Sequence, residues 1–329
     1  MFLWQQSQWQ HLMQANANLP HALLLSGRAG TGKHAFALYL SQALLCQTPK
    51  EQHLACGKCP SCIWFLEGGH PDFRLIEPED IDNTDETPKK KTTKKRQISV
   101  TQIRQLIDYL SLSSHQVNAR RVILISPAEV LNATSANALL KMLEEPPVNT
   151  LFLLVTSQPQ RLLATIISRC QVIDMPLPNR IDALAWLHAQ HINHAETALD
   201  YAGGAPLLAL QIAEEGDVNS GLIRNLALGA KLDPFGCAPL FLSIGMERAI
   251  DTLQKWIFDL VAYKLSQVLR YHSAHGGALQ ALCKSVNLKA LLSFQDKLVV
   301  AKKTADHPLS NEVQLENILL QYTQLFKPI

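Results

Sequence analysis

The stretch that most restricts how this chain can fold is "HALLLSGRAGTGKH", residues 21 to 34. A short apolar run stops at Gly27, and Lys33 opens a segment of helical periodicity, "KHAFALYLSQALL". An apolar run of that length bounded by glycine suits a strand buried on both faces. Strand, glycine-rich turn and helix are the setting in which backbone amides cradle a phosphate. The Walker A spacing G-x-x-x-x-G-K is met by Gly27, Gly32 and Lys33. At the next position, where a hydroxyl ligates the nucleotide's magnesium, stands His34. On the residues alone, Gly27, Gly30, Gly32 and Lys33 form either a nucleotide or anion site or a turn that packs strand on helix.

Four more apolar, β-branched-rich runs follow: "FRLIE" (73–77), "RVILIS" (121–126), "LFLLVTS" (151–157) and "CQVIDM" (170–175). Helical patterns at 33–45, 100–112 and 134–144 separate them, an alternation that predicts a parallel α/β sheet. An amphipathic helix is expected over residues 1–18, with Trp4, Leu12 and Met13 facing inward. Beyond Pro176 the strands stop. A helical group over 179–214 is broken by Gly203, Gly204 and Pro206, and 218–329 is helical again, with a stripe of Ile250, Leu253, Ile257, Leu260 and Val261. Residues 77–97 carry six acids and then six bases. With almost no apolar side chain to offset the entropy of ordering, that stretch is expected to be a solvated, mobile loop.

Hydrolysis at such a cradle needs an Asp for magnesium at the end of a second strand, and usually a Glu beside it to activate water. After "RVILI" the chain has Ser126 and Pro127, neither of which can do this. Glu129 is two residues further on, where a helical phase would turn it elsewhere. Catalysis in cis is therefore not expected.

Seven cysteines include Cys46, Cys56, Cys59 and Cys62, spaced C-x9-C-x2-C-x2-C. Two residues between thiolates allow both sulfurs to face one ion, and four sulfurs close a tetrahedral zinc shell with no place for water. That predicts a structural zinc, the alternative being buried free cysteines at coincidental spacing. Only Lys50 and Lys58 lie near the thiols, without interleaved aromatics, which disfavours a nucleic-acid-binding zinc ribbon. Cys170, Cys237 and Cys283 are isolated and read as core or neutral positions. The net charge of +2 argues for neither nucleic acid nor membrane as a partner of the chain as a whole. The opening residues lack a charged-then-apolar leader and no run reaches membrane-spanning length, so a cytoplasmic protein is expected. Arg169, at the end of "RLLATIISRC", is either a surface charge or a guanidinium that reaches a neighbour's nucleotide.

The succession "GRAGTGK", four cysteines, "HPD" (70–72), "NALLKMLEEPP" (137–147), "RLLATIISRC" (161–170) and "GGAP" (203–206) resembles the bacterial clamp-loader subunits of the AAA+ class. The resemblance spans nearly the whole chain, and the missing acids at 126 and 127 point to a non-hydrolysing branch. It implies a RecA-like domain over 1–175 with a zinc module at about 46–70, a helical lid over 176–214 and a helical collar over 215–329. Further implied are zinc on Cys46, Cys56, Cys59 and Cys62, and ATP or ADP held without hydrolysis. Arg169 would complete the ATP site of a neighbouring subunit. The implied assembly is a pentamer with delta and gamma or tau subunits, which opens a sliding clamp and places it on primed DNA as part of a DNA polymerase holoenzyme. The alternative within the class is an active motor ATPase of the gamma or tau kind.

Overall fold

The computed structural model describes residues 1–79, 97–111, 120–214, 218–303 and 311–326. The acid-then-base stretch falls mostly on 80–96, outside the described residues. The chain forms two compact units, Met1–Asp182 and Ala183–Ile329.

The first unit is built on a five-stranded parallel sheet of order β2-β3-β4-β1-β5. Its strands are β1 (Ala22–Ser26), β2 (Phe73–Ile76), β3 (Arg121–Ile125), β4 (Thr150–Thr156) and β5 (Gln171–Asp174). Each apolar run read from the sequence is a strand, to within a residue or two at its ends. Alternation along the strands sends side chains to both faces, so the central strands are apolar throughout their middles, with polar residues only at their ends (Ser26, Arg121, Thr150 and Thr156). Ala22 and Leu24 join Ile123, Ile125, Phe152 and Leu154 on one face, packed by α4 (Val100–Ser111) and α5 (Ala133–Glu144). Leu23 and Leu25 join Val122, Leu124, Leu151 and Leu153 on the other, packed by α1 (Gln6–Gln14) and α2 (Lys33–Leu45).

The expected N-terminal helix is broken into a 3-10 turn (Leu3–Gln5), α1 and a second 3-10 turn (Asn16–Asn18). Leu12 and Met13 are buried as expected, but the buried indole of this segment is Trp9. Trp4 is only half-buried and serves the glycine loop instead. A short helix α3 (Pro60–Leu66) lies between β1 and β2 in sequence, and α6 (Ala164–Ile167) precedes β5.

The secondary-structure elements of the second unit are all helices among its described residues. Ala183, Leu187, Leu199 and Ala209 form one small core. A larger one runs from Leu222 to Phe326 around the helix Met246–Ser266. Ile250, Leu253, Ile257 and Leu260 of the expected stripe are fully buried in it, while Val261 is partly exposed. There Trp256 Nε1 donates to Tyr322 Oη at 2.8 Å, and that hydroxyl donates to the Leu226 carbonyl at 2.6 Å. This chain of bonds satisfies the polar atoms of both aromatic side chains and links three helices. Among the described residues no helix is long and apolar enough to cross a membrane.

Candidate functional site

Parallel strands place the loops that follow β1, β3 and β4 together at the carboxyl edge of the sheet, the usual place for a ligand in such folds. The loop after β1 is shaped by its glycines. Gly32 has φ of +86°, a left-handed conformation that L side chains seldom adopt. A Cβ on Gly32 would also lie 2.5 Å from the Phe2 ring. At Gly27 a Cβ would meet the Met175 carbonyl oxygen at 2.2 Å, so the residue that follows β5 is packed against one that can have no side chain. We expect Gly27→Ala to lower stability by about 1–3 kcal/mol through overpacking, read as a fall in the thermal unfolding midpoint. An unchanged midpoint would show that β5 yields freely.

The N-terminal turn braces this loop from outside, a role that nothing in the sequence signalled. Trp4 Nε1 donates to the Thr31 carbonyl at 3.0 Å, and the Gln5 side-chain amide donates to the carbonyls of Thr31 (3.1 Å) and Gly32 (3.0 Å). In a trans peptide the N–H points opposite to the C=O. Holding those two carbonyls therefore directs the amides of Gly32 and Lys33 away from the brace, in the sense needed to meet an anion. Lys33 is buried, and its Nζ donates to the Arg28 carbonyl across the loop at 2.6 Å. Burial pulls this amine down to about 8, opposed by the nearby Glu129 carboxylate.

The positions where a hydrolytic site would hold magnesium are joined to each other. His34 Nδ1 and Ser126 Oγ are 2.9 Å apart, and His34 Nε2 lies 3.9 Å from Glu77 Oε1. The imidazole thus stands between the strand-end serine and the only carboxylate beside it among the described ion pairs. Pro127 begins a single 3-10 turn, Ala128–Val130, not the start of a longer helix, so the phase argument that turned Glu129 away does not hold. Glu129 Oε1 accepts the Ser157 amide at 3.0 Å, and its charge acts on Lys33. It braces the end of β4 beside the cradle.

The four cysteines converge. Their sulfurs lie within 4.8 Å of one another, with Cys46–Cys59 and Cys56–Cys62 each 3.9 Å apart. A tetrahedral ion with bonds of about 2.3 Å needs sulfurs about 3.8 Å apart, so the residues fit a metal. Amides of Cys59 and Lys58 point at the Cys56 sulfur, at 3.2 and 3.4 Å. The Thr48 hydroxyl above all, and then these two amides, draw the Cys56 thiol down to about 5. Burial pushes Cys62 up to about 12 and raises Cys46.

The "HPD" motif supports this module. Ser61 Oγ donates to the Leu45 carbonyl at 2.6 Å and lies 2.8 Å from His70 Nε2, while His70 Nδ1 accepts the Asp72 amide at 3.0 Å. With Nδ1 accepting, Nε2 carries the proton and donates to Ser61. A serine triad requires the opposite arrangement, a carboxylate on Nδ1–H and a basic Nε2 on the serine. This buried trio is a strut that ties α3 to the end of α2 and the start of β2.

Arg169 follows α6. Its Nη2 pairs with Glu144 Oε1 at 2.6 Å, and its Nη1 donates to the Thr165 carbonyl at 2.9 Å. Glu144 ends α5, so the "LEEPP" and "SRC" segments meet through this pair. The register Leu23↔Gln171 to Ser26↔Asp174 puts Arg169 beyond the amino edge of β5, whereas the cradle leaves the carboxyl edge of β1. From 169 to 175 is about 20 Å at the rise of a strand. This arginine cannot serve its own loop.

A family model described as DNA polymerase III, delta subunit, matches residues 4–179. DNA polymerase III subunit delta' of Pseudomonas aeruginosa is 31% identical, covering 100% of this chain and 99% of that protein. The delta' subunit of Escherichia coli is 34% identical over 58% of this chain and 54% of its own length. The tau subunit of the same organism is 32% identical over 58% of this chain, but that match spans only 28% of tau.

Proposed function

The chain belongs to the family of DNA polymerase III delta' subunits, AAA+ proteins of the clamp loader, and from that premise we propose that it is a non-hydrolysing member that lends Arg169 to a neighbour's ATP site. The observation that carries this reading is the placement of Arg169. It is half-exposed, oriented by Glu144, and on the sheet edge opposite its own cradle. That placement supports a role at another subunit, where a guanidinium would stabilise charge on a transferring phosphoryl group. The cradle itself has lost both magnesium positions to the His34–Ser126 pair.

In this reading the chain sits in the cytoplasm, in a pentamer with delta and gamma or tau subunits, and the assembly loads a sliding clamp onto primer-template DNA. Cys46, Cys56, Cys59 and Cys62 hold a zinc ion that braces the 46–70 module. Gly27, Gly30, Gly32 and Lys33 hold ATP or ADP without cleaving it. The separate apolar cores of 183–209 and 222–326 support a division of the helical part into lid and collar near residue 214.

The relationship to tau keeps a motor reading in play, with Glu129 as its base. A steady-state ATPase assay on the isolated, zinc-loaded chain separates the two. We expect no turnover and no effect of Lys33→Ala. Turnover that Lys33→Ala or Glu129→Gln abolishes would establish the motor.

A further inference from the structure

We propose that the cradle takes nucleotide phosphates without a divalent metal, because the His34 imidazole occupies the place the metal would need. The inference rests on the reading of Gly27–Lys33 as a nucleotide site. In phosphate loops of this kind the ion is held by a hydroxyl on the first helical turn and a carboxylate at the end of the second strand. Here the first position is His34 and the second Ser126, and they bond each other at 2.9 Å. The far side of the ring faces Glu77 at 3.9 Å, so the imidazole spans the interval between the serine and that carboxylate. Magnesium demands near-octahedral oxygen ligands at about 2.0–2.1 Å. An imidazole bonded to one remaining oxygen and facing another leaves no such set.

What remains for an anion does not depend on an ion. Two loop amides are directed by the Trp4 and Gln5 bonds to the preceding carbonyls, and helix α2 presents its positive end. Lys33 is held in the loop by one carbonyl bond, which a phosphate oxygen would replace with a stronger, charge-assisted one. Glu129, whose Oε2 is buried without a partner among the described residues, stands beside Lys33 and offsets part of its charge. A metal-free nucleotide carries more negative charge than its magnesium complex, and the His34 ring stands where that ion would have balanced it.

The test compares binding of fluorescent ADP and ATP analogues to the full chain in excess EDTA and in excess magnesium. The expected result is binding in EDTA no weaker than in magnesium. In the pair of substitutions His34→Ser with Ser126→Asp, we expect magnesium to strengthen binding about tenfold or more, a difference of about 1.4 kcal/mol. Wild-type binding that appears only with magnesium would overturn the metal-free site while leaving the cradle as a nucleotide site. Absence of binding in both buffers would overturn both, and leaves the role of Arg169 to its own assay. Should the double variant misfold, manganese electron paramagnetic resonance on the wild-type chain with ATP decides. A protein-coordinated ion there refutes the inference, and a spectrum matching ATP–manganese in solution supports it.

Discussion

Arg169→Ala is expected to slow the ATP site it serves by about 10³-fold or more, the range seen when an arginine finger is lost. The DNA-stimulated ATPase of the reconstituted complex should fall by that site's share, and clamp loading with it. The transition state spreads charge over the phosphoryl oxygens, and a planar guanidinium meets two of them at once. A lysine offers a single point charge, so Arg169→Lys should recover little. Stability should barely change, because Arg169 and Glu144 are both partly solvent-exposed and such pairs contribute at most about 1 kcal/mol. The thermal midpoint of the isolated chain therefore acts as the control. Glu144→Gln should produce a smaller loss, since it frees the guanidinium's orientation but keeps its charge. Full ATPase and loading by complexes containing Arg169→Ala would reject the role outright.

Several of these features are legible in the sequence, and the reason differs from case to case. β1, β3 and β4 announce themselves because a parallel strand covered on both faces is a near-continuous apolar run. The cysteine cluster is legible because three of its ligands are local in sequence and the fourth is brought in by one short helix and a loop. His34 and Ser126 are each recognisable as departures from a motif. Their bond spans 92 positions, and no local pattern encodes it. The same holds for Arg169 with Glu144, where each residue sits in a distinctive segment but only the fold shows that α5 ends where β5 begins. Trp4 departs from its expected place for a different reason. It falls in phase with an amphipathic helix, yet the first turn is 3-10, so the indole serves the glycine loop and Trp9 takes the core position. Glu129 differs from its expected direction for a related reason, since it sits in a single 3-10 turn and not in the longer helix whose phase would turn it away.

Removal of zinc is expected to unfold the 46–70 module while leaving the sheet intact. In isolated zinc peptides the metal contributes about 10–16 kcal/mol at neutral pH, which there is the whole of folding. Here other bonds share the load: Trp9 Nε1 donates to the Gln52 carbonyl at 3.0 Å, and the Ser61–His70 strut anchors α3. Those bonds join the module to α1, α2 and β2, elements whose own cores lie on the sheet. Chelation, or Cys62→Ser, should thus open residues 46–70 to proteolysis and preserve most of the helical and strand signal in circular dichroism. The sign with pH follows from the thiols. Burial raises Cys62 to about 12 and raises Cys46 as well, so near neutrality both carry protons that zinc must displace. Cys56, drawn down to about 5, is already a thiolate. Zinc affinity should accordingly rise with pH by about two decades per unit or more near neutrality, as expected for release of at least the two protons on Cys46 and Cys62, and weaken in proportion on acidification. A competitive titration against a chromophoric chelator at several pH values measures the slope. A slope near zero would mean that the thiols are ionised before the ion arrives. Loss of the whole circular dichroism signal on chelation would mean that the metal holds the sheet and not the module alone.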